Sequence, residues 1–379
     1  MPTQDIRIAW LLPSAFYYWQ PSISEFRKRF PQTKVFTGRW VGFTRGYENT
    51  LDITVVGTRK VFRQTSNKYS YGSGFTYLSP SIIWYLFQFR PEVVFTNSFG
   101  IWTLLALLFK ALGGWRVIIA YEGSAPGVDF LHSPLRLLLR RFMIRSADGA
   151  ISNSQAGRNY LIKVLGGKKE RVFAYPFEIP AAKTWSEMAT NCKLFELEFP
   201  SPVFLYVGRL LPRKGLHLLL ESCNLLKQQG YKNFTVLVVG DGEQRKELET
   251  YCQKYHLDDC IYWMGLVAYD KLSTYFERAD VFVLPTLEDT WGVVVLEAML
   301  FGKPVFCSQG AGTAELIIDG ENGYVFDPKQ PQRLAQLMAK AITSPAQISL
   351  MGAKSRQTMA QYTPETAASF LTKVVDAIA

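Results

Sequence analysis

A chain of 379 residues with 48% apolar and 20% charged side chains can bury two ordinary cores, which excludes a disordered or collagen-like polypeptide. The formal net charge of +10 is unevenly placed: up to Pro180 there are 23 Lys/Arg against 10 Asp/Glu, and after it 19 against 22. Five cysteines (Cys192, Cys223, Cys252, Cys260 and Cys307) show no Cys-x-x-Cys spacing and no adjacent His pair, so neither a disulfide framework nor a zinc site is expected, and a reducing cytoplasmic setting fits.

In chain order, a first apolar strand is predicted at 7–12, with no cleavable signal pattern before it. The loop after it reads Pro13-Ser-Ala-Phe16-Tyr17-Tyr18-Trp19-Gln-Pro21. Those four aromatics suit either a stacking platform for a sugar or isoprenoid, or a hydrophobic cap, and both readings stay open. Further strands are predicted at 92–96, 115–120, 149–152 and 171–175. The greasiest run, 99–109, is ended by Lys110 well short of the roughly 20 residues a membrane span needs, so it reads as a buried helix. Residues 134–145, Pro134-Leu-Arg-Leu-Leu-Leu-Arg-Arg-Phe-Met-Ile-Arg145, repeat cations and large apolar residues at helical spacing. They read as an interfacial helix on an anionic membrane or as a surface helix with a core-facing Leu side and a solvated Arg side. Nucleic acid is not expected as a partner, because no recognised module accompanies the charge.

A second strand series is predicted at 203–207, 235–239, 260–263, 281–284, 304–307 and 324–326, with helices such as 243–255 and 330–342 between. Alternating strands and helices imply an α/β chain with parallel sheets covered by helices, here two Rossmann-like domains in tandem. The boundaries are taken as 1–180 for the first domain, a polar, poorly patterned linker at 181–200, and 201–363 for the second. Thr363-Pro364 is a suitable N-cap and first helical residue for an element, 364–379, that returns to the first domain.

The chemistry concentrates in the second series. Strand 281–284 runs through Pro285 into a turn carrying Glu288, Asp289, Trp291 and Gly292, then into a helix beginning at Val293 and carrying Glu297. Backbone N–H groups at that helix mouth favour a phosphate or sugar oxygen. Helical side chains tilt toward the N-terminus, so Asp289 and Glu297 are both expected to reach one ligand. Since carboxylates repel a diphosphate, their partners should be hydroxyls, on a sugar and on a ribose. Cations for the phosphates are expected from Arg209 and Lys214, which follow the strand 203–207 at its carboxyl end.

Taken together, Gly208-Arg209, Lys214, Gly240-Asp-Gly242, the pair Asp289/Glu297 with Ala298, and Gly302-Lys-Pro-Val305 resemble the second half of the GT-B-fold retaining glycosyltransferases of family 4. Asp289 stands where the family pattern has Glu, and Glu288 is the weaker candidate for that role. The resemblance implies two Rossmann-like domains facing a cleft and transfer of a sugar from a nucleotide-diphosphate donor to a hydroxyl acceptor held by the first domain. It implies that Arg209, Lys214, Gly292 and Val293 hold the diphosphate, Asp289 and Trp291 the donor sugar, Glu297 the ribose, and the loop Gly265-Leu266-Val267 the nucleobase, with Gly240 and Gly242 as the glycine turn. Where many relatives have a catalytic His after the strand 115–120, this chain has Tyr121-Glu122-Gly123, so Glu122 is either the catalytic group at that position beside Asp289 and Glu297 or a structural carboxylate paired with an arginine, and both readings stay open. No Asp-x-Asp occurs, and neither cofactor nor metal is expected. The acceptor is expected to be a saccharide or lipid-linked saccharide, with the protein on the cytoplasmic face of a membrane. The alternatives are an epimerase of nucleotide sugars on the same fold, or a non-catalytic sugar- or nucleotide-binding relative. A dinucleotide oxidoreductase is disfavoured because Leu12-Pro13-Ser14, not a Gly-x-Gly-x-x-Gly turn, follows the first strand.

Overall fold

The computed structural model describes residues 5–64, 69–71, 73–185 and 198–378, so Cys192 and most of the predicted linker lie outside the described residues. The chain clusters into two compact units. One comprises Met1–Ser66, Gly72–Thr184 and Tyr362–Ala379, and the other Asn67–Tyr71 and Trp185–Gln361.

The strands of the first unit are β1 (Ile8–Leu12), β2 (Thr33–Thr37), β3 (Asp52–Val55), β4 (Lys60–Gln64), β5 (Ser73–Tyr77), β6 (Val93–Asn97), β7 (Arg116–Tyr121), β8 (Gly149–Ser152) and β9 (Val172–Ala174). Seven of them form a parallel sheet in the order β3-β2-β1-β6-β7-β8-β9, while β4 and β5 pair antiparallel as a separate ribbon. Helices cover both faces of the sheet, so its central strands have no polar side. In β1, Ile8, Trp10 and Leu12 enter one core with Phe26, Phe95, Leu371 and Val375, and Ala9 and Leu11 enter the other with Trp102 and Ile119. The helix Pro364–Ile378 thus belongs to the first unit's core.

β2, β3 and the ribbon escape the sequence reading. β3 is an edge strand whose residues are all exposed or half-buried, so it carries no run of burial-driven apolar residues to signal it. The first loop is also altered by the fold. Trp19 is buried against Trp10 and Phe177, so it belongs to the core, leaving Phe16, Tyr17 and Tyr18 half-buried, with Phe16 stacked on Tyr18 and Tyr17 edge-on to it.

The helix Ile101–Leu108 is shorter than the 99–109 run, and no helix among the described residues is long and apolar enough to cross a membrane. On the helix Pro134–Ser146, the core-facing Leu side read from sequence is not what folds. Leu135, Leu138, Leu139 and Phe142, at i, i+3, i+4 and i+7, are 78%, 66%, 42% and 49% exposed. Arg140 instead turns inward, donating to Val128 O (2.7 Å) and the Tyr160 hydroxyl (2.9 Å). The physical reason is that the preceding turn needs a donor for its carbonyls, and a guanidinium over the Phe99 and Phe130 rings supplies it.

The second unit holds β10 (Val203–Val207), β11 (Thr235–Val239), β12 (Ile261–Gly265), β13 (Val281–Leu284), β14 (Val305–Ser308) and β15 (Gly323–Phe326). They form a parallel six-stranded sheet in the order β12-β11-β10-β13-β14-β15. Strand order reverses beside β10, the first strand of the series, and in open α/β sheets ligands bind at the carboxyl ends of strands flanking such a point. The cysteines Cys223, Cys252, Cys260 and Cys307 are all buried and free, and the first three share one core with Leu220, Val236 and Leu257. Trp185, inside the stretch read as linker, is 7% exposed, packed on Tyr269 and Phe301.

Candidate functional site

At the carboxyl ends of β10, β11 and β12, three loops are tied by backbone hydrogen bonds. Gly208 N–H donates to Val239 O, Leu210 N–H to Asp241 O, and Gly240 N–H to Gly265 O. The close approach requires glycine: Gly240 has φ +133°, and a Cβ there would stand 2.0 Å from Gly208 O. Gly242 is equally constrained by Leu210 O at 2.5 Å, which accounts for the glycine turn. In the loop predicted to hold the base, Gly265 has φ +69° and Leu266 is 80% exposed.

The turn 285–292 is held from two sides. Leu287 N–H donates to Arg213 O (2.8 Å), and Asp289 N–H to Gly310 O (2.8 Å). Arg213 Nη1 donates to Glu288 O at 3.1 Å. This scaffold brings Lys214 and Asp289 together: the Lys214 ammonium bonds Asp289 Oδ2, with the two side chains only 18% and 9% exposed. Burial alone would raise the Asp289 carboxyl, but Lys214, Arg213 and the Tyr71 hydroxyl overcome it and hold the group below its ordinary value. Arg209, predicted beside Lys214, is exposed just past β10.

Gly292 has φ +93° and caps the helix Val293–Leu300, with Val295 N–H donating back to Gly292 O at 2.9 Å and the N–H groups of the helix mouth at Gly292 and Val293 lying ahead of the first intrahelical acceptor. Glu297, one turn in, is 1% exposed. Burial pushes its carboxyl up to about 8, against the opposing effect of a hydrogen bond with Tyr269, so it is protonated at neutral pH. Tyr269 is in turn held by Trp185, whose indole N–H donates to Tyr269 O at 2.9 Å. Asp289 is thus bonded to Lys214 and Tyr71, and Glu297 to Tyr269. Two polar atoms here, Trp291 Nε1 and Glu297 Oε1, are buried with no hydrogen-bond partner among the described residues. Trp291 itself is 1% exposed, so it offers its N–H and not an open ring face.

Sequence reasoning missed Arg213, Tyr71, Thr290 and Tyr269. Arg213 and Tyr269 lie one and two residues from predicted site positions, and Thr290 follows Asp289, so adjacency was an available signal. Tyr71 lies 218 residues from Asp289, and nothing local announces it.

In the first unit, Glu122 follows β7 and accepts from Asn97 Nδ2 at 3.0 Å, at the end of β6. Beside it, the buried Asp129 accepts from the Tyr121 and Ser124 hydroxyls, and Tyr160 O–H donates to Asp129 O at 2.7 Å. Burial raises the Asp129 carboxyl above its ordinary value, against the lowering effect of those hydroxyls. Among the described residues, no group of three or more His, Cys, Asp or Glu converges as a metal site would need.

Comparison with known proteins matches both units. Residues 195–366 match the family described as glycosyl transferases group 1, and residues 30–177 match the glycosyl transferase 4-like domain. The amylovoran biosynthesis glycosyltransferase AmsK of Erwinia amylovora is 32% identical over 156 residues, covering 40% of this chain and 38% of that protein. The sulfoquinovosyl transferase SQD2 of Arabidopsis thaliana is 26% identical over 263 residues, 66% of this chain and 50% of that protein. The chain therefore spans half or less of the length of these relatives. The crystal structure of Anabaena HepE in complex with UDP superposes with a TM-score of 0.75 at 16% identity, over 98% of this chain and all of that one, which shows the GT-B fold. The chain carries a glycosyl transferase 4-like domain followed by a group 1 glycosyl transferase domain, a pair that supports a group 1 glycosyltransferase.

Proposed function

We propose that this chain is a retaining, metal-independent glycosyltransferase that moves a sugar from a nucleotide-diphosphate donor to a hydroxyl acceptor. The observation that carries this reading is the constellation in the second unit: the Lys214–Asp289 pair, the helix mouth at Gly292, and the two buried polar atoms, Trp291 Nε1 and Glu297 Oε1, that lack partners. Buried donors and acceptors are costly unless something completes them, and a polyhydroxylated ligand would.

The roles follow from charge and reach. Arg209, Lys214 and the N–H groups at Gly292 and Val293 would take the diphosphate, whose negative charge grows as the glycosidic bond breaks. Asp289, ionised, and Trp291 N–H would bind sugar hydroxyls. Glu297, protonated at neutral pH, can both donate to and accept from ribose hydroxyls without charge repulsion from the phosphates. The backbone of Gly265, Leu266 and Val267 would meet the base, with the Gly240 and Gly242 turn allowing close approach. Glu122, oriented by Asn97, would align the acceptor hydroxyl. That hydroxyl attacks from the face the diphosphate leaves, its oxygen bonding to the anomeric carbon while the departing phosphate takes its proton. Anabaena HepE, solved with UDP and with UDP-glucose, is a relative in fold whose ligands support a nucleotide-sugar donor.

The acceptor reading is a saccharide or lipid-linked saccharide in surface-polysaccharide synthesis at the cytoplasmic face of a membrane. Its supports are the amylovoran relative and the exposed stripe Leu135, Leu138, Leu139 and Phe142, flanked by the exposed Arg141 and Arg145 in the basic part of the chain. Such a stripe seats in a headgroup layer whose anionic lipids attract the flanking cations.

The test is thermal shift with UDP, GDP and ADP and their sugars, without and then with magnesium, followed by NMR of the product's anomeric configuration. Stabilisation by one nucleotide without metal, and a retained anomer, are expected. An inverted product would overturn the retaining assignment, and a strict magnesium requirement would overturn metal independence.

A further inference from the structure

Tyr71 sits on the carboxylate that the donor sugar is proposed to use. Its O–H donates to Asp289 Oδ1 at 3.1 Å, and its oxygen accepts from Thr290 N–H at 3.3 Å. A sugar hydroxyl bound at this turn would make the same pair of bonds, one donated to a carboxylate and one accepted from a backbone N–H. Three contacts hold the tyrosine in that pose. Its own N–H donates to Glu288 Oε2 at 3.0 Å, the Ser70 hydroxyl donates to the same oxygen, and the Arg213 guanidinium lies 3.9 Å over its ring. The phenol is raised above its ordinary value, first by burial and then by the charge of Asp289, so it remains a hydrogen-bond donor throughout the neutral range. The buried Glu288, beside Asp289 in sequence, is thereby explained: it anchors the 70–71 segment and leaves Asp289 to face the hydroxyl.

We propose that Tyr71 is a specificity-determining residue for the donor sugar, its hydroxyl competing with one sugar hydroxyl for Asp289 and the Thr290 N–H. This rests on the donor-site reading above. Only a sugar that replaces both bonds displaces the phenol, whereas a nucleoside diphosphate without sugar leaves it in place. The residue therefore sets the ratio of sugar-nucleotide to nucleoside-diphosphate affinity, more than the strength of nucleotide binding itself.

The test is calorimetric binding of UDP and UDP-glucose, GDP and GDP-mannose, and ADP and ADP-glucose to the wild-type chain, to Tyr71→Phe and to Glu288→Ala. The phenylalanine keeps the ring under Arg213 and removes only the competing hydroxyl, and the alanine releases the segment that presents it. Sugar-nucleotide Kd is expected to fall about tenfold in both variants, the size of one to two hydrogen bonds, with nucleoside-diphosphate Kd unchanged. A sugar-nucleotide Kd that is unchanged or higher in Tyr71→Phe, with the diphosphate still bound, overturns the assignment of Tyr71 alone. No nucleotide bound by the wild-type chain overturns the donor-site reading and this inference with it.

Discussion

At the carboxyl ends of β10 and β13 the chain holds a buried ion pair, Lys214 on Asp289, with Arg213 donating to the Glu288 carbonyl and both loops pinned by backbone hydrogen bonds. At the carboxyl ends of β1 and β7 it places half-buried aromatic rings and a set of hydroxyls around Asp129 and Asn97–Glu122. Both are parallel sheets whose strands end in loops, so the difference lies in chemistry and not in architecture. The paired charges suit an invariant anionic ligand part, and the rings and hydroxyls suit a polyhydroxylated or apolar one.

The sharpest way to break that contrast is Lys214→Ala. It strands a buried carboxylate, so transfer should fall by about 10²–10³ and stability by roughly 3 kcal/mol. Adding Asp289→Asn should recover the melting temperature and leave transfer lost. Equal melting temperatures for the single and double variants would show that the pair is not energetically coupled. Gly215→Ala comes next. With φ +69° and a Cβ 2.0 Å from Pro285 O, it should cost at least about 2 kcal/mol in a denaturant titration, because the loop that carries Lys214 cannot relax away from β13.

Glu297 offers a pH signature that the first unit's carboxylates can be compared with. Its folded value of about 8 lies above its ordinary 4.5, so the folded chain keeps a proton that the unfolded chain releases. Its contribution is therefore fully present below about pH 4.5 and is lost as pH rises toward 8, with the unfolding free energy falling over that window. Glu297→Gln should flatten this slope in melting curves taken from pH 5 to 8. A slope identical to wild type would place the titration elsewhere. The smallest effect on stability belongs to Leu135→Ser with Leu138→Ser. The melting temperature should move by less than about 1 °C, as for exposed positions generally, while co-sedimentation with phosphatidylglycerol vesicles should drop several-fold. Unchanged sedimentation would remove the lipid role of this helix.

What the sequence disclosed follows from burial. Strands β10, β11, β13 and β14 are apolar because both their faces are covered, and the site loops between them carry glycines at positions where any side chain would collide with backbone, so fold and motif positions were legible together. Exposed β3 and the β4–β5 ribbon lack that signature. The pairing of Lys214 with Asp289 was within reach of sequence reasoning, since both residues were singled out, yet it was missed because each was assigned to a ligand and not to the other. Tyr71 could not be found, because a contact across 218 residues leaves no local periodicity. Of the two readings of 134–145, the core-facing Leu side is the one the fold does not adopt, because helical spacing reports that a face exists and not which way it turns.

The four described cysteines fall in the second unit and are buried, with burial pushing Cys252, Cys260 and Cys307 up to about 12. A thiolate reagent therefore meets these sulfurs only when that unit opens, and the first unit is silent to it. The chain carries an intrinsic reporter for the opening of one half: the rate at which Cys223, Cys252 and Cys260 become alkylated, measured with and without nucleotide, reads ligand affinity as protection of the core those three share.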